Sequence, residues 1–243
     1  MNGQRFDETI RHSAFAAATM KLSTEIKAIT FDVGGTLIEP WPSVGHVYAE
    51  VASRQGISGA DPELLNRRFA EAWRAKANFD YSRSAWAAIV RHTFENPITS
   101  GQEPAFFAEL YGRFAGPEVW RIYDDVAATL EPLSQRGIKL AVISNWDERL
   151  RPLLRGLKLD HFFEIVIVSS ELGRHKPAPE IFEHALRQLG LPGPAVLHVG
   201  DSPLEDVTGA ERAGLRAVRL NRRGPEQAPG EIRSLTELLV GVK

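Results

Sequence analysis

Four short clusters of polar side chains follow apolar runs of the sequence, and each cluster holds a residue type used in group transfer. They centre on Asp32, on Ser144 with Asn145, on Lys176, and on Asp201 with Asp206. A carboxylate can act as a nucleophile or hold a divalent cation, a hydroxyl can donate to an oxyanion, and a lysine supplies positive charge beside either. Any one cluster alone is more typical of a helix cap or a tight turn. Four in one chain, each on its own apolar run, indicate a shared catalytic site.

The apolar runs that precede the clusters have the composition of buried strands. They span residues 28–31, 140–143, 165–168, 195–199 and 217–220. Near-continuous apolar character is typical of strands that are covered on both faces of a parallel sheet. The carboxyl ends of such strands lie at one edge of the sheet, which is where these sheets bind ligands. The polar clusters are therefore expected to meet at that edge.

Helical patterns alternate with the last four of these runs. They span residues 125–136, 148–157, 179–189 and 204–213, and three of them are followed by a glycine, at Gly137, Gly190 and Gly214. Glycine after the last periodic residue is a common helix end. The alternation predicts an α/β fold with a doubly wound parallel sheet. A short helix over residues 234–240 is predicted to follow a loop at 224–230.

The long segment between Phe31 and Leu140 breaks this alternation. It has no convincing strand pattern and contains four amphipathic helical stretches, at 44–54, 63–77, 84–94 and 105–114. Helices inserted there predict an α-helical cap domain over the sheet. We therefore predict an N-terminal extension (1–24), a core domain (25–39 and 121–243) and a cap domain (40–120).

The aromatic residues of the predicted cap occur at helical spacing, which is typical of a helical core. We expect most of them to be core residues and only one or two to line a cleft. They are Trp41, Tyr48, Trp73, Phe79, Tyr81, Trp86, Phe106, Phe107 and Tyr111.

The composition excludes several classes of protein and of site. Hydrophobic residues make up 43% and charged residues 25% of the 243 residues, as in ordinary globular proteins. The absence of cysteine excludes disulfides, thiolate metal sites and thiol nucleophiles. A formal net charge of −2 gives no reason to expect nucleic acid or a membrane surface as a partner. We expect a soluble, cytoplasmic enzyme that acts on small molecules as a monomer or homodimer, with Met20 as its true start.

Taken together, the clusters resemble the four motifs of the haloacid dehalogenase (HAD) superfamily. The matching segments are Asp32-Val33-Gly34-Gly35-Thr36-Leu37, Ser144-Asn145, Lys176-Pro177, and Gly200-Asp201 with Asp206. The similarity extends over nearly all of residues 27–240, and the insertion resembles the helical type-1 cap of subclass I. The chain looks like a poorly characterised branch of HAD-like hydrolases. The resemblance implies a Rossmann-like core.

The resemblance also implies a nucleophile and a metal site. Asp32 would attack phosphorus and form an aspartyl-phosphate, which water then hydrolyses. Mg²⁺ would be held by Asp32, Asp201, Asp206 and the backbone carbonyl of Gly34. The implied activity is that of a Mg²⁺-dependent phosphatase acting on a small phosphorylated metabolite.

The other motif residues would handle the transferring phosphoryl group. Ser144 would donate a hydrogen bond to it, with backbone N–H groups around Asn145 helping. Lys176 would place a positive charge beside the nucleophile and the phosphate. Thr36 would orient the nucleophile or, later, the attacking water.

One position departs from the pattern of the phosphatases in this superfamily. They usually carry a second Asp two residues after the nucleophile, which protonates the leaving alkoxide and then activates water. Here that position is Gly34. Loss of a general acid/base typically costs about 10²–10⁴-fold in rate. Hydrolysis of aryl and acyl phosphates would be slowed least, because they have good leaving groups. Asp147 is one candidate substitute acid, although an Asp at a helix start is more typically structural.

Gly34 leaves three alternatives open. Dehalogenases acting on 2-haloacids also lack the second Asp but need no metal, so Asp201 and Asp206 would only repel their anionic substrate. A phosphonate hydrolase keeps the metal but needs a Schiff-base lysine in the cap, where Lys76 lies in a helical pattern among charged neighbours. The last alternative is a catalytically retired protein that binds a ligand or partner.

Overall fold

The computed structural model of the chain describes residues 26–76, 79–94, 103–223, 228 and 230–240. Within these residues the strands are β1 (Ala28–Phe31), β2 (Ile38–Pro40), β3 (Trp120–Ile122), β4 (Lys139–Ser144), β5 (Ile165–Val168), β6 (Val196–Gly200), β7 (Arg216–Leu220) and β8 (Glu231–Ile232). Six of them form one sheet in the order β5-β4-β1-β6-β7-β8, with every neighbouring pair parallel. The predicted N-terminal extension and the predicted start at Met20 lie outside the described residues.

The helices follow the predicted order. They are α1 (Val44–Arg54), α2 (Pro62–Ala75), α3 (Arg83–Phe94), α4 (Glu103–Arg113), α5 (Asp125–Gln135), α6 (Leu150–Gly156), α7 (Ser169–Leu172), α8 (Pro179–Leu189) and α9 (Gly209–Arg212). No helix of the described residues has the length and apolar character that crossing a membrane requires.

Side chains of the central strands alternate between two apolar layers, as the pleat of a strand requires. Ile29 and Phe31 of β1 pack with α5, α6 and the C-terminal 3-10 helix Leu235–Val240 on one face. Ala28 of the same strand packs with α8 and α9 on the other face. Helices therefore cover both faces of the parallel sheet, and the predicted doubly wound α/β fold is confirmed.

Two predicted helices have a different form. The stretch predicted at 204–213 is a π-helical turn, Pro203–Thr208, followed by the short α9. Asp206 accepts a hydrogen bond from the Ser202 backbone N–H at 2.9 Å, so the turn is wound around its own carboxylate. Such widened turns are frequent at functional sites. The short helix predicted at 234–240 is present as a 3-10 helix, Leu235–Val240.

The absence of strands between Phe31 and Leu140 is a wrong prediction. β2 and β3 lie there and pair antiparallel, with Ile38 opposite Ile122 and Pro40 opposite Trp120. Each has three residues, which is too short for an alternating pattern to be recognised. The pair joins the two chain segments where the sequence places the boundaries of the cap domain, and that division remains a prediction.

The four inserted helices share an apolar core of their own, to which Val47, Leu65, Val90 and Phe106 each contribute from a different helix. Ser43 caps the N-terminus of α1: its side chain accepts a hydrogen bond from the backbone N–H of His46 in the first turn. A close approach of α1 and α2 is possible because Gly45 has no side chain. A Cβ there would lie 2.0 Å from the Pro62 carbonyl oxygen, and the Gly45 N–H donates to Asn66 Oδ1 at 2.7 Å.

We therefore predict opposite effects for two glycine-to-alanine substitutions in the inserted helices. Gly45→Ala should lower the free energy of unfolding by about 1–3 kcal/mol, because the new methyl group forces α1 away from α2. Gly112→Ala should raise the free energy of unfolding by about 0.5–1 kcal/mol, because a Cβ built at Gly112 has no neighbour within 4 Å and alanine favours a helix. Urea unfolding of both variants checks this, and a loss of stability in both would contradict it.

Candidate active site

Three adjacent strands bring the predicted site residues to one point of the sheet edge. Asp32 follows β1, Ser144 ends β4 on one side of it, and Asp201 follows β6 on the other. The strand order changes direction at β1, because β4 and β5 lie on one side of it and β6 and β7 on the other. Open parallel sheets bind ligands at such a point. The prediction that the clusters meet at this edge is confirmed.

A buried ion-pair network surrounds Asp32. Its Oδ1 accepts hydrogen bonds from Ser144 Oγ at 2.9 Å and from Lys176 Nζ at 2.7 Å. The same ammonium donates to Asp206 Oδ1 at 2.5 Å. Burial would lower the pKa of Lys176, but Asp206 and Asp32 outweigh that effect and raise it. Lys176 is therefore a permanent cation between two carboxylates.

Asp206 is fixed by a residue to which the sequence analysis gave no role. His198 Nε2 donates to Asp206 Oδ1 at 3.1 Å, and its Nδ1 lies 2.8 Å from the Thr30 hydroxyl. Burial lowers the pKa of His198, so the ring is neutral and the Thr30 hydroxyl donates to Nδ1. Burial also opposes ionisation of Asp206, but Lys176 and His198 hold its pKa below the ordinary range.

The third carboxylate has no cation of its own among these contacts. One oxygen each of Asp32, Asp201 and Asp206 lie within 4.8 Å of one another. Burial raises the pKa of Asp201 to about 7, and the charges of Asp32 and Asp206 add to the rise, although part of its side chain reaches solvent. Burial likewise raises the pKa of Asp32, although the positive charge of Lys176 acts to lower it.

This excess of negative charge fits a hard divalent cation, which takes carboxylate and carbonyl oxygens as ligands. Gly35 leaves room for the carboxylates of this site, because it has no side chain and its backbone adopts a left-handed conformation (φ 78°) that glycine tolerates. A Cβ at Gly35 would lie 2.7 Å from Asp201 Oδ2. The residues predicted to hold Mg²⁺ are thus brought together, in a setting that suits such an ion.

Asn145 and Thr36 occupy less direct positions. The Asn145 side chain bridges two loops: it accepts from the Lys176 N–H at 2.8 Å and donates to the Lys176 carbonyl at 2.9 Å and to Glu205 at 3.1 Å. Thr36 is fully buried, and its hydroxyl has no hydrogen-bond partner among the described residues. The structure thus gives Asn145 a positioning contact and places no bond between Thr36 and Asp32.

A cavity of about 610 Å³ opens over Asp32, between the sheet edge and the inserted helices. The prediction that only one or two aromatic residues of the cap line a cleft is wrong. Those that line the cavity are Tyr48, Trp73, Tyr81, Trp86, Phe107 and Tyr111. Phe106 is a core residue, whereas Trp41 is 47% exposed. Helical spacing alone could not separate a core from a cleft wall, because both bury one face of a helix.

Trp146 covers the position where the second Asp would be expected. A Cβ on Gly34 would lie 3.2 Å from Cζ3 of the Trp146 ring. The ring also packs against Trp120, with centroids 5.3 Å apart. The backbone of Trp146 is held by Ser169, whose hydroxyl accepts from its N–H and donates to its carbonyl, both at 3.1 Å. The space beside Gly34 is therefore an aromatic wall.

Asp147 is fully buried and engaged, which argues against its candidacy as a substitute acid. The Arg149 guanidinium donates two hydrogen bonds to it, of 2.8 and 2.6 Å, and the Arg149 backbone N–H donates a third at 3.1 Å. The indole N–H of Trp86 in α3 also donates to it, at 2.7 Å. Arg149 also donates to the Tyr111 carbonyl of α4 at 3.2 Å and lies 3.7 Å from the centre of its ring. The loop after β4 is thereby fastened to two inserted helices.

The cavity has three further polar residues that sequence reasoning missed or placed elsewhere. Lys76 follows the last residue of α2 and lines the cavity, with its Nζ 3.7 Å from the centre of the Trp73 ring. Burial lowers its pKa. Burial also raises the pKa of Glu205, a partly buried carboxyl in the same cavity. Tyr81 is 4% exposed and has a positive φ of 62°, and no sequence pattern reports such strain.

The buried Arg149–Asp147 pair yields a prediction about stability. Arg149→Met should lower the free energy of unfolding by about 3–5 kcal/mol, because it leaves the Asp147 carboxylate buried without its cation. Arg151→Met is the matched control: it removes an exposed pair with Glu171, for which less than about 1 kcal/mol is expected. Chemical unfolding of both variants checks this, and equal effects would contradict it.

Comparison with known proteins places the chain in a family. A family model described as haloacid dehalogenase-like hydrolase matches residues 26–214. The chain is 35% identical over 204 residues to haloacid dehalogenase-like hydrolase domain-containing protein 3 of Homo sapiens, an alignment covering 79% of this chain and 81% of that protein. It is 39% identical over 212 residues to a glyceraldehyde 3-phosphate phosphatase of Methanopyrus kandleri, covering 83% and 86%. The crystal structure of a 2-haloacid dehalogenase from Pseudomonas syringae is similar with a TM-score of 0.65 and 27% identity, covering 89% and 97%.

The family model spans well over half of the chain, and its residues include the four polar clusters. The human relative, which the chain matches over 81% of its length, has the name of the same family. The resemblance found in the sequence is therefore confirmed. The chain belongs to the haloacid dehalogenase-like hydrolases, and it is a hydrolase.

Proposed function

We propose that the protein is a Mg²⁺-dependent phosphatase that hydrolyses a small phosphorylated metabolite through an aspartyl-phosphate on Asp32. The observation that supports this most directly is the position of Asp32. Its carboxylate lines the cavity, while Ser144 and the buried ammonium of Lys176 hold one of its oxygens. One oxygen is thereby anchored, and the other is available for attack on an electrophile in the cavity.

Each polar residue around Asp32 has a defined task in this proposal. Ser144 and Lys176 fix the rotamer of the nucleophile, and the positive charge of Lys176 lowers the repulsion between Asp32 and an incoming phosphate. His198 orients Asp206 without adding charge, because the ring is neutral. Asp32, Asp201, Asp206 and the Gly34 carbonyl would hold Mg²⁺. When bound, Mg²⁺ supplies charge neutralisation for the carboxylates and for the phosphoryl oxygens.

Known relatives support phosphate esters as the substrate class. The Methanopyrus kandleri relative is named a glyceraldehyde 3-phosphate phosphatase, and another relative, from Pseudomonas fluorescens, is named a phosphoglycolate phosphatase. Halide displacement, the activity in the name of the Pseudomonas syringae structure, fits less well. The carboxylate cluster would repel an anionic haloacid unless a cation were bound. A protein that only binds a ligand would have no use for the anchored, cavity-facing nucleophile.

The proposal predicts that Asp32→Asn abolishes phosphate release. The rate should fall by at least about a thousandfold, because the amide cannot form the covalent intermediate. Chelation of divalent cations with EDTA should abolish phosphate release by the wild type, and added Mg²⁺ should restore it. Phosphate release from a panel of aryl, acyl and sugar phosphates is the measurement.

Asp160→Asn, a substitution of an exposed carboxylate outside the cavity, serves as the control and should keep full activity. Retention of turnover by Asp32→Asn, or turnover that is indifferent to EDTA, would overturn the proposal. Chloride release from a 2-haloacid by the wild type, without Mg²⁺, would favour dehalogenation instead.

A second candidate function follows from Lys76. The residue lines the cavity, and burial lowers its pKa, which are the conditions under which a lysine forms a Schiff base. The sequence argued against a phosphonate hydrolase because Lys76 lies in a helical pattern among charged neighbours, but Lys76 follows the last residue of α2 and lines the cavity. An aldehyde-bearing phosphonate could then be bound through Lys76 while Asp32 attacks its phosphorus.

Borohydride trapping tests this second candidate. Incubation with an aldehyde-bearing phosphonate and sodium borohydride should add the reduced substrate to Lys76, as seen by peptide mass spectrometry, and Lys76→Met should lose the adduct. Lys139→Met, which changes an exposed lysine paired with Glu164, should leave the adduct in place. An unmodified Lys76 peptide in the wild type would exclude the Schiff-base route.

A further inference from the structure

We propose that the substrate is an aryl phosphate, a monoester whose leaving oxygen is attached to a flat aromatic ring that binds in the cavity above Asp32. This inference rests on the proposed phosphatase function and specifies the substrate class of that same site. Two independent features of the cavity support it. One is the composition of the walls, and the other is what occupies the space beside Gly34.

The wall formed by the inserted helices is aromatic. Phe69, Trp73, Trp86 and Phe107 contribute rings that line the cavity. Trp73 stacks on Trp86 with centroids 5.5 Å apart and an interplanar angle of 15°. Flat rings arranged in this way favour a flat apolar guest, because offset stacking adds to the burial of apolar area.

This wall offers few partners to the hydroxyl groups of a sugar. Of the inserted-helix residues that the structure describes in the lining, Lys76 alone is charged, and its ammonium lies over Trp73. The Trp86 indole N–H already donates a hydrogen bond to Asp147, and the Tyr111 hydroxyl already donates one to Glu148 at 2.8 Å. Among the described residues of this wall, the Tyr48 and Tyr81 hydroxyls and the Lys76 ammonium are the other polar groups, so a polyol buried there would replace only part of its hydrogen bonds to water, which is costly. An aromatic ring carries no such cost.

The space beside Gly34 points to the same class of leaving group. Residue 34 has no side chain to supply an acid, and the Trp146 ring packs against this position, 3.2 Å from a Cβ built on Gly34. The leaving oxygen must therefore depart without a proton from that position. A phenol has a pKa of about 10, as in tyrosine, whereas water, which alkyl alcohols resemble, has one of about 15.7. An aryloxide can leave unprotonated, and an alkoxide cannot do so at a useful rate.

The reaction balances without an additional acid. An oxygen of Asp32 forms a bond to phosphorus as the bond from phosphorus to the ring oxygen breaks, and that electron pair leaves on the aryloxide. The aryloxide takes a proton from solvent after it departs. Water then attacks phosphorus, the electron pair of the acyl-phosphate bond returns to the Asp32 carboxylate, and both protons of the water leave with inorganic phosphate as dihydrogen phosphate, which exchanges one of them with solvent.

Steady-state kinetics on matched esters tests the substrate class. Phenyl phosphate and 2-naphthyl phosphate release phenols of similar acidity, cyclohexyl phosphate and glucose 6-phosphate release alkoxides, and acetyl phosphate has a good leaving group without a ring. We expect kcat/KM for the aryl esters to exceed that for the alkyl esters by at least about a hundredfold. We expect 2-naphthyl phosphate to exceed phenyl phosphate by about fivefold, because only the ring differs.

A pair of variants separates ring binding from leaving-group chemistry. Phe107→Ala should lower kcat/KM for 2-naphthyl phosphate by about fivefold and lower it much less for acetyl phosphate, because Phe107 belongs to the aromatic wall and acetyl phosphate has no ring to bind there. Trp41→Ala should affect neither ester, because Trp41 is exposed outside the cavity. Equal losses on both esters in Phe107→Ala would overturn the inference.

Inhibition of the wild type gives a measurement that needs no substitution and no hydrolysis of an aromatic ester. In the presence of Mg²⁺, 1-naphthylphosphonate should inhibit more tightly than methylphosphonate by about tenfold or more. Equal inhibition overturns the aryl class, as does a faster reaction with glucose 6-phosphate than with phenyl phosphate, while Asp32-dependent phosphate release keeps the phosphatase proposal. No Asp32-dependent release from any ester defeats the phosphatase proposal and, with it, this inference.

Discussion

The buried ammonium of Lys176 is the interaction on which the arrangement of the candidate site depends. It lies 2.7 Å from Asp32 and 2.5 Å from Asp206, and its side chain is almost inaccessible to solvent. Carboxylates gathered in a poorly solvated pocket repel one another strongly, and removal of the cation between them would leave them uncompensated. The lysine precedes α8, whereas its partners follow β1 and β6, so the ion pair also joins separate segments of the sheet edge.

The charge balance of the site follows from which neighbours are neutral. His198 could have supplied a second positive charge to Asp206, but burial keeps the ring neutral and Thr30 fixes its tautomer. Ser144 contributes a hydroxyl dipole and no charge. One ammonium therefore faces three carboxylates, and the pKa of Asp201 is raised, first by burial and then by the charges of Asp32 and Asp206. A divalent cation is the kind of group that completes such a site.

The sequence predicted much of the fold and the main site residues because both follow local patterns. Apolar runs located five of the six strands of the central sheet, all but the two-residue β8, and the carboxyl-end rule then gathered Asp32, Ser144 and Asp201. The three-residue strands β2 and β3 were missed because they are too short to show a period. Contacts such as Arg149 with Tyr111, or Trp146 over Gly34, depend on how separate segments meet in space. No spacing in the chain encodes them.

The loop after β4 connects the nucleophile, the leaving-group space and the inserted helices. Ser144 anchors Asp32, Trp146 covers Gly34, and Asp147 binds Trp86 and Arg149. A change in the packing of α3 or α4 would therefore move the ring that lies over Gly34. The converse is milder: a Cβ at position 34 would lie 3.2 Å from the Trp146 ring, so an acidic side chain there would require the ring to shift by a few tenths of an ångström. The missing acid and the aromatic wall are thus coupled, because the ring that packs over Gly34 belongs to the same loop that anchors Asp32.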